Sequence, residues 1–351
     1  MKAARLRQAV ATLVTPLVFL QASSVWAVPV YDLITQIPGS GGAWDYAAID
    51  DASEHLYLAQ RGVTVLDLKT NQLTTDLVTS GVTHGVLPLH DGKVAVADGT
   101  NREVKLFEGI SGKIVGKIST ANFGSASGMH ALDALVWEPK SALIAAVDGE
   151  SGTLLLIDRN RLAVTGTIPL GGKPEFAVAD GRGYVYINVV KNGVAMIAVA
   201  DVASKRIKRY FPMRGCNDPT GLAYDRADRL LISVCGNGVA EFIRENGSTA
   251  AHLRVGKGAD AVMFDSQRKM VLVPGGSDGV LSIISVRSVS SIRVIQTLNT
   301  KKGARLGAVD NKTGQVYLPV ADLGAPVPPS PYPSVIAGTF RILVVAPRHA
   351  K

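Results

Sequence analysis

Aromatic side chains are scarce in this chain, 6% of 351 residues, and cysteine occurs only twice. No run of five or more Lys/Arg is present; SKRIKR at 204–209 and KKGAR at 301–305 are the densest basic clusters and read as solvated turns or strand edges. Single-stranded nucleic acid calls for a basic groove interleaved with exposed aromatics, so a nucleic-acid partner is not expected. HExxH, CxxC and an EF-hand loop are all missing, which removes the compact signatures of zinc, thiol-redox and calcium chemistry. Six histidines without a CxxCH argue against copper clusters and attached haem. Beyond residue 27 no apolar run approaches the length that spans a bilayer.

What is present begins with an address. Lys2, Arg5 and Arg7 precede an apolar stretch from Val10 to Leu20, and Val25-Trp26-Ala27 fits a small-x-Ala cleavage site. Residues 1–27 therefore read as a secretory signal, and 28–351 as the mature chain, periplasmic or secreted. Removing the signal takes three cations from a formal charge of +8, leaving a mildly basic protein. In an oxidising compartment the even pair Cys216 and Cys235 reads as a disulfide. Cys216 lies just before one strand and Cys235 ends the next, and antiparallel neighbours bring those ends together.

A cassette returns about every 40–45 residues: an apolar run ending in Asp, a polar turn, then an alternating β-run. It reads AAIDDASEHLYLA at 47–59, FAVADGRGYVYIN at 176–188, LAYDRADRLLISV at 222–234, VMFDSQRKMVLVP at 262–274 and GAVDNKTGQVYLP at 307–319. Four short strands per repeat make a β-propeller blade. The expectation is an all-β, seven-bladed β-propeller in one domain, with blades at about 44–82, 84–120, 130–170, 174–212, 219–255, 260–299 and 308–346. The last blade has only three strands before the chain ends, and VYDLITQI at 30–37 supplies the fourth, a 3+1 clasp that closes the ring. A closed ring exposes few sheet edges, so a monomer is expected. The proline-rich stretch 323–338 reads as an extended excursion without regular strand, a surface loop, a lid over the channel or a docking arm.

Five motifs, GGAWDY (41–46), THGV (83–86), GCNDPTGLAYD (215–225), ADAVMFD (259–265) and QTLNTKKGARLGAVD (296–310), resemble the YncE-like, YVTN-type seven-bladed propellers exported by bacteria. The resemblance covers nearly all of the mature chain and implies the fold and export, with no assigned reaction. The literal YVTN repeat is replaced here by Tyr184-Val185-Tyr186-Ile187-Asn188.

Loops leading into the inner strands converge on one face of a propeller, the default ligand site. They supply Trp44, Asp45, Tyr46, His84, His130, Asp133, Glu175, Asp218, Asp260 and Arg305, and the ends of the second strands add Arg61, Asp98, Asp148, Asn188, Asn237, Asp278 and Asp322. This mouth is acidic although the chain is basic. The primary expectation is a binding module for an unknown small molecule, peptide or protein partner. Trp44 and Tyr46 would form an aromatic shelf, with Arg61 and Arg305 pairing to an anionic group. The alternative is a hydrolase or lyase of the propeller lactonase type. There His84, His130, Glu175 and Asp218 would hold a divalent cation, Ca²⁺ or Mg²⁺. No cofactor is certain from the sequence.

Overall fold

The computed structural model describes residues 29–123, 132–328 and 333–348. The expected signal at 1–27 and the candidate His130 lie outside the described residues.

The cassette is a capped turn repeated around a ring. Asp50, Asp180, Asp225, Asp265 and Asp310 each accept the backbone N–H two residues on, at 2.7–3.1 Å. Four residues after three of these caps, Glu54, Arg229 and Lys269 take φ of 51–57°, and Gly314 takes 79° at the same distance from Asp310. Such carboxylate-capped turns reverse the chain without help from neighbouring strands, so these blades begin with self-sufficient hairpins.

Blades three to six are four-stranded antiparallel sheets in simple up-and-down order. Blade four, for example, runs Lys173–Ala179, Tyr184–Lys191, Val194–Asp201 and Arg206–Pro212. Blades one and two share a six-stranded sheet, which the sequence does not suggest. The strand Leu73–Leu89 is the outer strand of blade one and continues as the inner strand of blade two. Its partner His55–Asp67 doubles back at Arg61-Gly62, because the Leu68 N–H reaches the Glu54 carbonyl at 3.0 Å. Gly62 has φ of 98°, and a Cβ there would stand 2.1 Å from the Val78 carbonyl oxygen, so only glycine fits the turn.

Blade seven carries the clasp. Val30–Pro38 pairs antiparallel with Arg341–Arg348, which pairs with Val316–Val320 and then Ala308–Val309. Gln296 of blade six locks the clasp, accepting the Tyr31 N–H at 2.8 Å and donating to the Tyr31 carbonyl at 2.7 Å. Seven apolar clusters fill the seven seams between successive blades, including the seam between blades seven and one. The ring is therefore closed by packing as well as by pairing.

Part of the proline-rich stretch is regular after all. Leu323–Pro326 and Pro333–Val335 form a two-stranded ribbon, paired at Leu323↔Val335 and Pro326↔Pro333. Proline is tolerated because both strands are edges. No helix among the described residues is long and apolar enough to cross a membrane.

Cys216 and Cys235 are joined, with Cα atoms 5.6 Å apart across 19 residues. The bond ties the loop leading into blade five to the end of that blade's second strand. Replacing both cysteines by serine is expected to lower stability by about 3 kcal/mol, read by urea unfolding, because the loop is freed in the unfolded chain.

Candidate functional site at the channel mouth

The capped turns give each blade a common ruler. Glu138 caps the turn of blade three, accepting the Lys140 N–H at 3.2 Å, and Leu89 stands at the equivalent place in blade two. Five residues back from these positions and from the five Asp caps stand Asp45, His84, Asp133, Glu175, Thr220, Asp260 and Arg305, one per blade. Hydrogen bonds between blades pin this ring. The Gly85 N–H meets the Asp133 carbonyl at 3.0 Å and the Asp260 N–H meets the Arg305 carbonyl at 2.9 Å. The Thr220 hydroxyl donates to the Ala259 carbonyl at 2.7 Å, and Asn188 Nδ2 to the Thr220 carbonyl at 2.8 Å.

Six of the ring residues are ones the sequence singles out. In blade five Thr220 occupies the ring position, while the expected Asp218 lies near enough for its charge to raise Glu175 and Asp260. Asp218 sits two residues earlier with φ of 59°, ahead of Pro219, and is exposed. The expected second-strand residues are engaged elsewhere. Asp98 pairs with the buried Lys105 at 2.7 Å, Asp148 caps its own turn, and Asn188 braces blade five. Arg61 stands off the axis and lines a cleft of about 370 Å³ with Ser80, Gly81, Val82 and Thr100.

The expected aromatic shelf is corrected by packing. Trp44 is 4% exposed and packs against Phe340, ring centroids 5.6 Å apart, in the seam between blades seven and one. Tyr46 instead reaches across the axis from blade one to Phe176 of blade four, with centroids 5.0 Å apart in an edge-on contact. The equivalent positions in four other blades are Gly85, Ala134, Gly221 and Ala261, small enough to leave that space. Gly85 and Gly221 could not be larger, since a Cβ on either would come within 2.5 Å of the next blade's backbone. The mouth is thus a cup with an aromatic floor.

Its walls are strongly acidic. Asp45, His84 and Asp133 offer ligand atoms that all lie within 4.8 Å of one another, and His84 Nδ1 meets Asp45 Oδ2 at 2.5 Å. Of the sequence-derived set His84, His130, Glu175 and Asp218, only His84 belongs to this trio, and His130 lies outside the described residues. Lys173 pairs with Glu175 at 2.6 Å, and Arg305 Nε with Asp260 at 2.8 Å. Burial pushes the Asp133 carboxyl well above its ordinary range; Asp45, Glu175 and Asp260 push the same way, against the pull of His84. Burial likewise raises Glu175 despite Lys173, and Asp260 despite Arg305. The Tyr46 hydroxyl is raised by burial and by the carboxylates Asp133, Asp45, Asp260 and Glu175, which places it among all four.

The opposite face has consumed its charges. Lys269 bridges Asp225 and Asp228 of the neighbouring blade at 2.7 and 2.8 Å, Lys312 pairs with Glu54, and Lys140 reaches the Arg182 carbonyl at 3.1 Å. A basic chain therefore presents an acidic mouth, because many of its cations staple blades together on the other side.

No protein-family model and no curated relative matches the chain. Among solved structures it is similar to a chain of the Kuenenia stuttgartiensis hydrazine synthase, with 13% identity and a TM-score of 0.65 over 86% of this chain and 95% of that one. It is also similar to a chain of a mitotic checkpoint complex, with 14% identity and a TM-score of 0.67 over 97% of this chain and 98% of that one. At such identities the likeness establishes the fold, and the fold is a seven-bladed β-propeller.

Proposed function

We propose that this protein is an exported β-propeller of the YncE-like group, a binding module whose ligand presents a positively charged group to the channel mouth. The observation that carries this reading is the excess of carboxylate in the cup. Asp45, Asp133, Glu175 and Asp260 face one space, and three of them are held above their ordinary pKa. Charges left so poorly compensated are a cost to folding, and functional sites are where such costs persist. A bound cation offsets the repulsion, and the Tyr46–Phe176 floor adds aromatic surface for an organic one. The motifs shared with the YncE-like propellers, the apolar leader at 1–27 and the disulfide support export of one domain, 28–351.

The test is calorimetric titration of the mature protein with ethylammonium. Binding in the wild type and at least tenfold weaker binding in Asp133→Asn or Asp260→Asn are expected. Equal affinity in all three would remove the mouth from consideration.

A second reading rests on the Asp45–His84–Asp133 trio. Two carboxylates and an imidazole suit a divalent transition metal such as Mn²⁺ better than Ca²⁺, which prefers six or more oxygens. A metal there would supply Lewis acidity for the lactonase-type alternative. Elemental analysis of protein purified without chelator separates the readings: a stoichiometric metal lost in His84→Ala supports the second.

A further inference from the structure

One side of the cup is built differently from the rest. Arg305 is the single cationic member of the ring, and its guanidinium carbon stands 5.6 Å from the Trp44 ring centroid. Its Nη2 donates to the Trp44 carbonyl at 3.1 Å while Nε holds Asp260. Trp44, which it contacts, and Gln60 on the neighbouring stretch of blade one carry buried donors that find no acceptor. Trp44 is 4% exposed and Gln60 8% exposed, yet Trp44 Nε1 and Gln60 Nε2 have no hydrogen-bond partner. The Asp45 N–H bond to the Ala59 carbonyl, 2.9 Å, brings these two stretches of chain side by side. The Gln60 amide packs directly against Gly41, where a Cβ would lie 2.6 Å from Nε2. Gly41, Gly42 and Ala43 above it are exposed.

An unpaired buried donor costs about 1–3 kcal/mol, so two together call for an acceptor. Indole and guanidinium nitrogens are donors only, and the free end of the glutamine amide is too. The complementary group is rich in acceptors and negatively charged. A carboxylate, with two oxygens and several lone pairs, meets an arginine and two N–H donors.

We infer that the ligand is dipolar, an amino acid or short peptide whose ammonium enters the carboxylate cup and whose carboxylate is held by Arg305, Trp44 Nε1 and Gln60 Nε2. This rests on the reading of the mouth as a cation site, and it adds the second pole. The two poles are adjacent because Arg305 and Asp260 are themselves paired. A ligand with both charges a few bonds apart satisfies each without separating that pair. Simple amines fill only the acidic side, and simple carboxylates face a net negative cup.

The test titrates the mature protein calorimetrically with glycine, β-alanine and γ-aminobutyrate, beside the matching alkylammonium and alkanoate ions. The best amino acid is expected to bind at least tenfold more tightly than the amine of the same length, and alkanoates not measurably. Trp44→Phe keeps an aromatic ring against Phe340 and removes the N–H together with part of the indole, a packing loss that the amine titration reads separately. It should cost the amino acid roughly tenfold and the amine less than twofold. Arg305→Gln should erase the advantage over the amine altogether. If amines bind but amino acids bind no better, the dipolar inference fails and the cation site stands. The inference fails in the same way if the advantage survives both substitutions, which would mean that ordered water satisfies the two donors. If no amine binds, the cation site fails first and this inference with it.

Discussion

Deleting residues 28–38 is expected to abolish the cooperative thermal melt and send the protein into aggregates. The clasp strand Val30–Pro38 pairs with Arg341–Arg348 from Val30↔Arg348 to Pro38↔Arg341. It buries Tyr31 completely and Ile37 to 8% exposure, which together contribute about 3–6 kcal/mol of apolar burial. Its loss also breaks the two bonds to Gln296 and bares the strand carrying Ile342, Leu343, Val344 and Val345. The sum approaches the whole net stability of a domain, about 5–15 kcal/mol, and the bared edge is a template for pairing with other chains. Deleting 325–335 should leave the melt unchanged. The described residues of that ribbon are exposed or half-buried, and its strands pair only with each other. Circular dichroism melts of the two deletions check the pair. A cooperative melt at the wild-type temperature after the first deletion would contradict the clasp.

Mild acidification is expected to stabilise this protein, the reverse of the usual response. Asp133, Glu175 and Asp260 titrate above the ordinary 3.8 of aspartate and 4.5 of glutamate. Their ionised forms are therefore disfavoured by folding, and at neutral pH each subtracts from stability. The penalty fades as pH falls through the raised folded values toward the ordinary ones. Asp98 acts in the opposite sense. Burial alone would raise it, but hydrogen bonds from Lys105, Ser80 and Asn101 hold it well below the usual range. Its contribution is present above about pH 4 and lost below. The melting temperature should therefore rise as the pH falls from neutral through the raised values, then fall as the structural carboxylates protonate. A melting temperature that declines steadily from pH 7 would show that the mouth is not strained by its own charge.

The blades were legible in the sequence because their signal is local. Asp-capped turns such as Asp50 to Glu54 and Asp265 to Lys269 form from a few neighbouring residues and repeat, so spacing alone reveals them. The clasp was legible by counting, since the last blade lacked one strand and the N-terminus had one to give. The ring was mostly legible for the same reason: five residues back from each cap stands a ring member. In blade five the ruler falls on Thr220, which is chemically plain, whereas Asp218 two residues earlier is the conspicuous one. The floor was not legible at all. That Tyr46 meets Phe176, and that Trp44 packs on Phe340, depends on which side chains face each other across the axis and across the closing seam. The merging of blades one and two through Leu73–Leu89 was hidden for a similar reason, since one long strand and two short ones carry the same alternation.

In the proposed function the acidic cup is held at a cost to stability for a cationic ligand, and both halves of that proposal meet in one variant. Thermal melting of Asp133→Asn beside the wild type, with and without ethylammonium, reads them together. The substitution keeps the size and the backbone hydrogen bonds of Asp133 and removes only its charge. The expected result is a melting temperature raised by about 2–4 °C without ligand, the scale of roughly 1 kcal/mol for a chain of this size, and loss of the ligand-induced shift seen in the wild type. A variant that melts lower than the wild type and keeps the full ligand shift would contradict it.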